Sequence, residues 1–285
     1  MGDSRVKNEN LILDFTHVYC DEYIKDIDRF RYIDCSDIEE TDMYCSKEAN
    51  KRIWEKIKPY GIQGIHYIDS GNYHYISKII TDHIDEPFGL VMYDHHTDMQ
   101  IPMVPGMMSC GDWAGQALNR NKNLRQLVIV GPPEKDIDRT LESYNGSQSG
   151  RLLIFSAEDL HGGLLENKLK LIRTDLPLYI SIDKDVLGTE DCETNWSQGN
   201  MSIGGLERLL GVFLGGQGEE RNSDACCNDE RYAGDIRHSR IFGVDICGEI
   251  QTDIPVPEYL EAEEKNEKVN IELFRFISEH VKKFR

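Results

Sequence analysis

The feature that most constrains this chain is a series of short apolar, β-rich runs spaced by amphipathic or polar stretches. The runs are Asn10–Phe15, Gly64–Ile68, Phe88–Tyr93, Gln126–Val130, Leu152–Phe155, Pro177–Ile182 and Arg240–Val244. Each is nearly continuous in hydrophobicity, as a strand covered on both faces must be. Helical patterns lie between them, at Ala49–Ile57, Trp113–Asn119, Gly204–Phe213 and the closing Val269–Phe284. Such alternation predicts parallel βαβ units in a three-layer α/β/α sandwich around a mostly parallel central sheet. Gly146–Gly150 and Gly215–Ser223 read as loops, and Glu258–Lys268 as a charged, solvated segment. No repeat or linker divides the chain, so one domain over residues 1–285 is the expectation.

Charge narrows the partners. The 285 residues carry 51 acidic against 32 basic side chains, a net charge of −19. That excess excludes a nucleic-acid binder, which needs a cationic surface to displace phosphate counterions. It equally disfavours an anionic membrane surface. Residues 1–10 lack the apolar stretch of a signal peptide, and no run approaches the roughly 18 apolar residues of a membrane helix. Eight cysteines include no Cys-x-x-Cys pair, and adjacent cysteines such as Cys226 and Cys227 rarely form a relaxed bridge. Reduced thiols and a cytoplasmic location are expected.

In open parallel sheets, ligands sit beyond the carboxyl ends of the strands. Three runs here end in imidazole and carboxylate clusters: Asp69-Ser-Gly-Asn-Tyr-His74, Asp94-His-His96-Thr-Asp98 and Asp183-Lys-Asp185. In an extended segment alternate side chains share a face, so Asp94, His96 and Asp98 converge while His95 and Thr97 turn away. Asp183 and Asp185 repeat that pairing, with Lys184 pointing away. Crowded carboxylates repel strongly unless a multivalent cation neutralises them. Six ligands, two nitrogen and four oxygen, are too many for a tetrahedral zinc site. They suit two Mn²⁺ ions sharing bridging carboxylates.

In that order and spacing, Ser70-Gly-Asn-Tyr-His74, Asp94-His-His96-Thr-Asp98 and Ser181-Ile-Asp183-Lys-Asp185 resemble the motifs of the ureohydrolases, the arginase–agmatinase–formimidoylglutamase family. The resemblance implies one Mn²⁺ on His74, Asp94, Asp98 and Asp183. It implies a second on His96, Asp94, Asp183 and Asp185. It further implies a hydroxide shared by the two ions that attacks the guanidino or amidine carbon of a small polar substrate and releases urea or a related product. Asp98 would relay the proton to the leaving nitrogen. A homo-oligomer is implied as well, since trimers and hexamers are common among such proteins.

The chain also departs from that pattern. Gly188-Thr189 replace an Asp-Pro step, and Met108-Ser-Cys110-Gly-Asp112 occupy the place of a proton-shuttling histidine. Thr194-Asn-Trp-Ser-Gln-Gly199 replace a Thr-Gly-Thr-Pro-like stretch, and Gln100 stands where an asparagine helps read an amino-acid carboxylate. Gly248 holds the position of the glutamate that clamps the guanidinium, with Glu249 one residue later. Glu249 is therefore the expected clamp, with Gln100 and Trp196 as its neighbours in the substrate shell. These departures leave two rivals standing: a formimino or amide hydrolase, and a non-catalytic member that keeps its metals for stability and serves as a binding or regulatory protein. His66, inside a strand, reads as a core histidine, and Glu158 and Asp159 as acids of a solvated loop.

Overall fold

The computed structural model describes residues 8–19, 30–143, 150–161, 165–215, 240–251, 256–281 and 284. Ten strands lie among them: β1 (Asn10–Asp14), β2 (Phe30–Asp34), β3 (Tyr44–Cys45), β4 (Gly64–Ile68), β5 (Phe88–Tyr93), β6 (Met108–Ser109), β7 (Leu124–Val130), β8 (Leu152–Phe155), β9 (Leu178–Asp183) and β10 (Ile241–Cys247). The helices are α1 (Lys47–Ile57), α2 (Ile76–Thr81), α3 (Trp113–Arg120), α4 (Glu134–Ser143), α5 (Leu165–Leu169), α6 (Ile203–Leu214) and α7 (Val256–His280). Eight strands form one sheet in the order β2-β1-β4-β10-β9-β5-β7-β8, and every pairing is parallel. β3 and β6 make a separate antiparallel ribbon.

Alternation along the strands builds the three layers. Leu90 and Met92 of β5, with Leu127 and Ile129 of β7, face a core shared with α1, α2 and α3. Their neighbours Val91, Tyr93, Val128 and Val130 face the opposite core, shared with α6 and α7. β4, β5, β9 and β10 are buried along their whole length, which explains their unbroken apolar character.

The charged segment Glu258–Lys268 forms the first half of α7, with most of its side chains exposed or half-exposed. Its charges mask two inward positions, Ala262 and Asn266, both fully buried. The Gly146–Gly150 and Gly215–Ser223 loops, and the pair Cys226–Cys227, lie largely or wholly outside the described residues. The five described cysteines, Cys35, Cys45, Cys110, Cys192 and Cys247, are free and buried. Among the described residues no helix is long and apolar enough to cross a membrane.

The sheet order positions the site. From β4 the chain passes to β5, three places along, leaving a gap that β9 and β10 later fill. The carboxyl ends of β4, β10, β9 and β5 therefore meet at a topological switch point, where open sheets form their ligand crevices.

Candidate metal centre

All six expected ligands converge on that crevice. His74 enters from the 3₁₀ turn after β4. Its Nδ1 lies 3.2 Å from Asp94 Oδ2, 3.0 Å from Asp98 Oδ2 and 3.5 Å from Asp183 Oδ2. His96 Nδ1 lies 3.5 Å from Asp94 Oδ1 and 2.7 Å from Asp185 Oδ2. Asp94 thus turns one oxygen toward each histidine, the disposition of a bridging carboxylate. Asp183 meets the His74 half through Oδ2, while its Oδ1 accepts the Asp185 backbone N–H at 3.0 Å.

The donor set fits divalent cations. An ion ~2.1 Å from its ligands sets neighbouring ligands ~3.0 Å apart in an octahedron and ~3.4 Å in a tetrahedron. The separations around His74 fall close to that range. Its Nδ1 is buried without a properly formed hydrogen bond, although three carboxylates surround it. Burial, together with the charge of Asp185, pushes the Asp183 carboxyl up to about 7. Burial and the charge of Asp94 do the same for Asp185, also to about 7. Burial tends to lower both imidazoles, but the surrounding carboxylates override it. They hold His74 well above the ordinary histidine value and His96 up to about 12. Unmetallated, the cluster retains protons to offset its carboxylates; a cation would replace them.

Supports behind the candidate ligands fix their orientation. The Ser181 hydroxyl lies 2.9 Å from His74 Nε2 and donates to Asp245 Oδ1 at 2.6 Å, with Ser77 donating to the same oxygen at 3.0 Å. Occupying Nε2 leaves Nδ1 to face the cluster. Trp113 Nε1 donates to Asp98 Oδ2 at 2.6 Å. The Asp98 carbonyl accepts the Ala114 and Gly115 N–H groups at the start of α3. These contacts hold Asp98 at φ +47°, a left-handed conformation that costs about 1–3 kcal/mol for a residue with a side chain. Gly71 passes so close beneath the site that a β-carbon there would meet Asp183 Oδ2 at 3.0 Å.

Ser181, Asp245 and Trp113 were not singled out from sequence as supports. Ser181 sits inside a quoted motif, but nothing in the sequence ties Trp113 to Asp98. His66 is a core histidine as expected: Nε2 lies 3.2 Å from the Ile62 carbonyl, and burial pushes it down to about 4. Asp159 is a buried cap that accepts the Ser156 N–H at 2.9 Å and pairs with Lys168. Glu158 accepts the Glu134 N–H.

The cleft has a volume of about 80 Å³. Asp94, His96, Asp98, Asp183 and Asp185 line it, as do Tyr44 and Ser109 of the β3–β6 ribbon and the flanking Met43 and Cys110. Gln100 and Trp196 also line it. Trp196 donates from Nε1 to Asn72 Oδ1 at 2.9 Å and meets the His96 ring edge-on at 5.9 Å. Ser109 and Cys110, from the stretch that stands in place of a shuttle histidine, line the cleft, and burial raises the Cys110 thiol.

Glu249 requires a correction, because it does not line the cleft. Its carboxylate is 2% exposed and pairs with the fully buried Lys184 ammonium. It also accepts from Asn270 Nδ2 at 2.8 Å and from Asn266 Nδ2 at 3.3 Å. Lys184 does point away from the ligands flanking it, as alternation requires, and a buried ammonium needs a counter-charge. Gly248 cannot hold the clamp either. It sits at φ +98°, and a β-carbon there would meet Asp183 Oδ1 at 2.7 Å.

Known proteins share this architecture. Formimidoylglutamase of Bacillus subtilis superposes with a TM-score of 0.64 over 99% of this chain and 89% of its own, at 13% identity. This is the arginase fold. Helicobacter pylori arginase matches with a TM-score of 0.53 over 94% of this chain and 99% of its own, at 14% identity. Trypanosoma cruzi formiminoglutamase, in a structure with Mn²⁺, matches with a TM-score of 0.57 over 96% and 94%, at 11% identity. No family model matches the sequence. An uncharacterized protein of Thermotoga maritima is 29% identical over 214 residues, which span 74% of this chain but only 66% of that protein. Within the arginase fold, the crevice described above lies at the carboxyl ends of the four central strands.

Proposed function

We propose that this chain is a binuclear metal-dependent hydrolase of the ureohydrolase type, acting on a non-peptide carbon–nitrogen bond of a small polar molecule. The observation that carries the reading is Asp94, which offers one oxygen to each of two histidines that face further carboxylates. Two divalent cations, for which Mn²⁺ is proposed, would lower the pKa of a shared water toward neutrality. The chain's own residues do the remainder. Asp98, pinned by Trp113, accepts a proton at its carboxylate and delivers it to the leaving nitrogen. Ser181 and Asp245 hold His74 in the tautomer that presents Nδ1. Trp196 and Gln100, which line the cleft, orient the substrate.

A second reading concerns the substrate. Among the described residues, every acidic side chain lining the cleft belongs to the ligand set, and Glu249 is engaged elsewhere. A permanently charged guanidinium would lack a dedicated partner there. This favours an amide over a guanidino substrate. A cytoplasmic, homo-oligomeric enzyme completes the proposal.

The test is a panel of guanidino, formimino and amide compounds offered to Mn²⁺-reconstituted protein, with urea, formamide and ammonia assayed as products. Turnover of an amide but not of guanidino compounds is expected. Urea release would overturn the second reading. No turnover by protein that demonstrably holds two ions would favour the non-catalytic, metal-stabilised alternative.

A further inference from the structure

We propose that Cys247 is a sulfur ligand on the His74 half of this centre, making one cation position softer than an all-oxygen-and-nitrogen set. The inference rests on the metal reading above and deepens it. β10 pairs with β9 so that Cys247 lies directly beside Asp183 at the carboxyl edge of the sheet. Its Sγ–H donates to Asp183 Oδ2 at 3.3 Å, the oxygen that faces His74. Donor atoms of His74, Asp183 and Cys247 all lie within 4.8 Å of one another.

A sulfur ~2.3 Å and an oxygen ~2.1 Å from a shared ion stand ~3.1 Å apart at an octahedral angle and ~3.6 Å apart at a tetrahedral one. The observed 3.3 Å falls between these values. A second observation points the same way: His74 Nδ1, on a side chain 1% exposed, faces Asp183 Oδ2 as well as the nearer Asp98 and Asp94 oxygens without forming a proper hydrogen bond. A donor trio with an unsatisfied nitrogen asks for a cation more than for a thiol–carboxylate contact alone. On binding, the Cys247 S–H bond breaks, a sulfur–metal bond forms and the proton leaves to the buffer. Thiolate favours Zn²⁺ and Co²⁺ relative to Mn²⁺, whereas the His96 half, with Asp94 and Asp185, keeps the harder set.

The experiment is a Co²⁺ titration of the metal-free full chain followed by absorption, with the bound metal counted. Visible ligand-field bands report cobalt in the centre, and a near-ultraviolet sulfur-to-cobalt transition reports a thiolate ligand. The expected result is both, with the near-ultraviolet band kept in Cys110→Ser and lost in Cys247→Ser while the visible bands persist. In equilibrium competition, Cys247→Ser should lower the preference for Zn²⁺ over Mn²⁺ at one of the two positions by about 10-fold or more. Visible bands without a thiolate band in the unsubstituted protein would overturn the inference while leaving the metal centre standing, and they require no variant. Persistence of the near-ultraviolet band in Cys247→Ser, or in Cys247→Ala should the serine variant not fold, would overturn it too. Failure to bind cobalt at all would instead remove the metal reading on which it rests.

Discussion

Replacing Glu249 by Gln removes the counter-charge of a fully buried ammonium while preserving the shape of the side chain. Lys184 is completely buried and Glu249 is 2% exposed, so water cannot screen the charge left behind. Losing one partner of such a pair costs about 3–5 kcal/mol. Here the glutamine carbonyl still accepts a hydrogen bond, and Asn270 Oδ1 remains 3.0 Å from Lys184 Nζ. The lower end therefore applies, about 3 kcal/mol. At ~2–4 °C per kcal/mol for a chain of this size, Tm should fall by about 6–12 °C. Removing both charges, in Lys184→Met/Glu249→Gln, should recover much of the loss, because no uncompensated ion remains. Scanning calorimetry on metal-loaded protein, with urea unfolding as a second measure, reads the effect. An unchanged Tm in Glu249→Gln, accompanied by a tenfold or greater rise in KM on an identified substrate, would refute the argument. It would return Glu249 to the role of a substrate clamp.

Other expectations follow from the same geometry. Asp98→Asn should retain the fold and lower kcat by two orders of magnitude or more, since an amide neither accepts the proton nor binds a cation well; steady-state kinetics on a confirmed substrate check this. Ser181→Ala should weaken metal binding about 10- to 100-fold by freeing His74 Nε2, as measured by calorimetric titration with Mn²⁺. Metal-free protein should lose stability as pH rises, from about 4 to 7 through Asp183 and Asp185 and from about 6.5 upward through His74 and His96. The folded state holds protons on Asp183 and Asp185 up to about 7, and on His74 and His96 above that, whereas their unfolded counterparts titrate near 4 and 6.5. Each proton kept only by the folded state makes stability fall by about 1.4 kcal/mol per pH unit. Saturating Mn²⁺ should flatten that slope in thermal melts, and a flat melting profile in the metal-free protein would contradict the assignment.

Much of the fold was legible because burial on both faces of a sheet leaves a continuous apolar run. The expected bounds of β4, β5 and β8 coincide with the observed ones. β2 escaped notice because, at the sheet edge, Phe30–Asp34 is half exposed and reads as polar. The N-terminal half of α7 was obscured by its outward charges. The candidate metal-binding cluster was legible for a different reason: the same chemistry recurs at three strand ends, and the parallel topology gathers those ends. Glu249 misled because a position near a motif does not reveal which neighbour claims its charge. Lys184, lying between two acidic ligands, was visible in the sequence; the depth of its burial was not. The hydrogen bonds from Trp113 to Asp98 and from Ser181 to Asp245 join segments that only the tertiary structure brings together.

The central claim is that Asp94 and its neighbours form one binuclear site, and metal counting tests it most directly. Full-length protein stripped by chelator, reconstituted with Mn²⁺ and freed of excess should carry about two ions per chain by elemental analysis. Asp94→Asn should carry markedly fewer, because one carboxylate serves both halves. Retention of no Mn²⁺, or of a single ion with Asp94→Asn indistinguishable from the unsubstituted protein, would contradict the account.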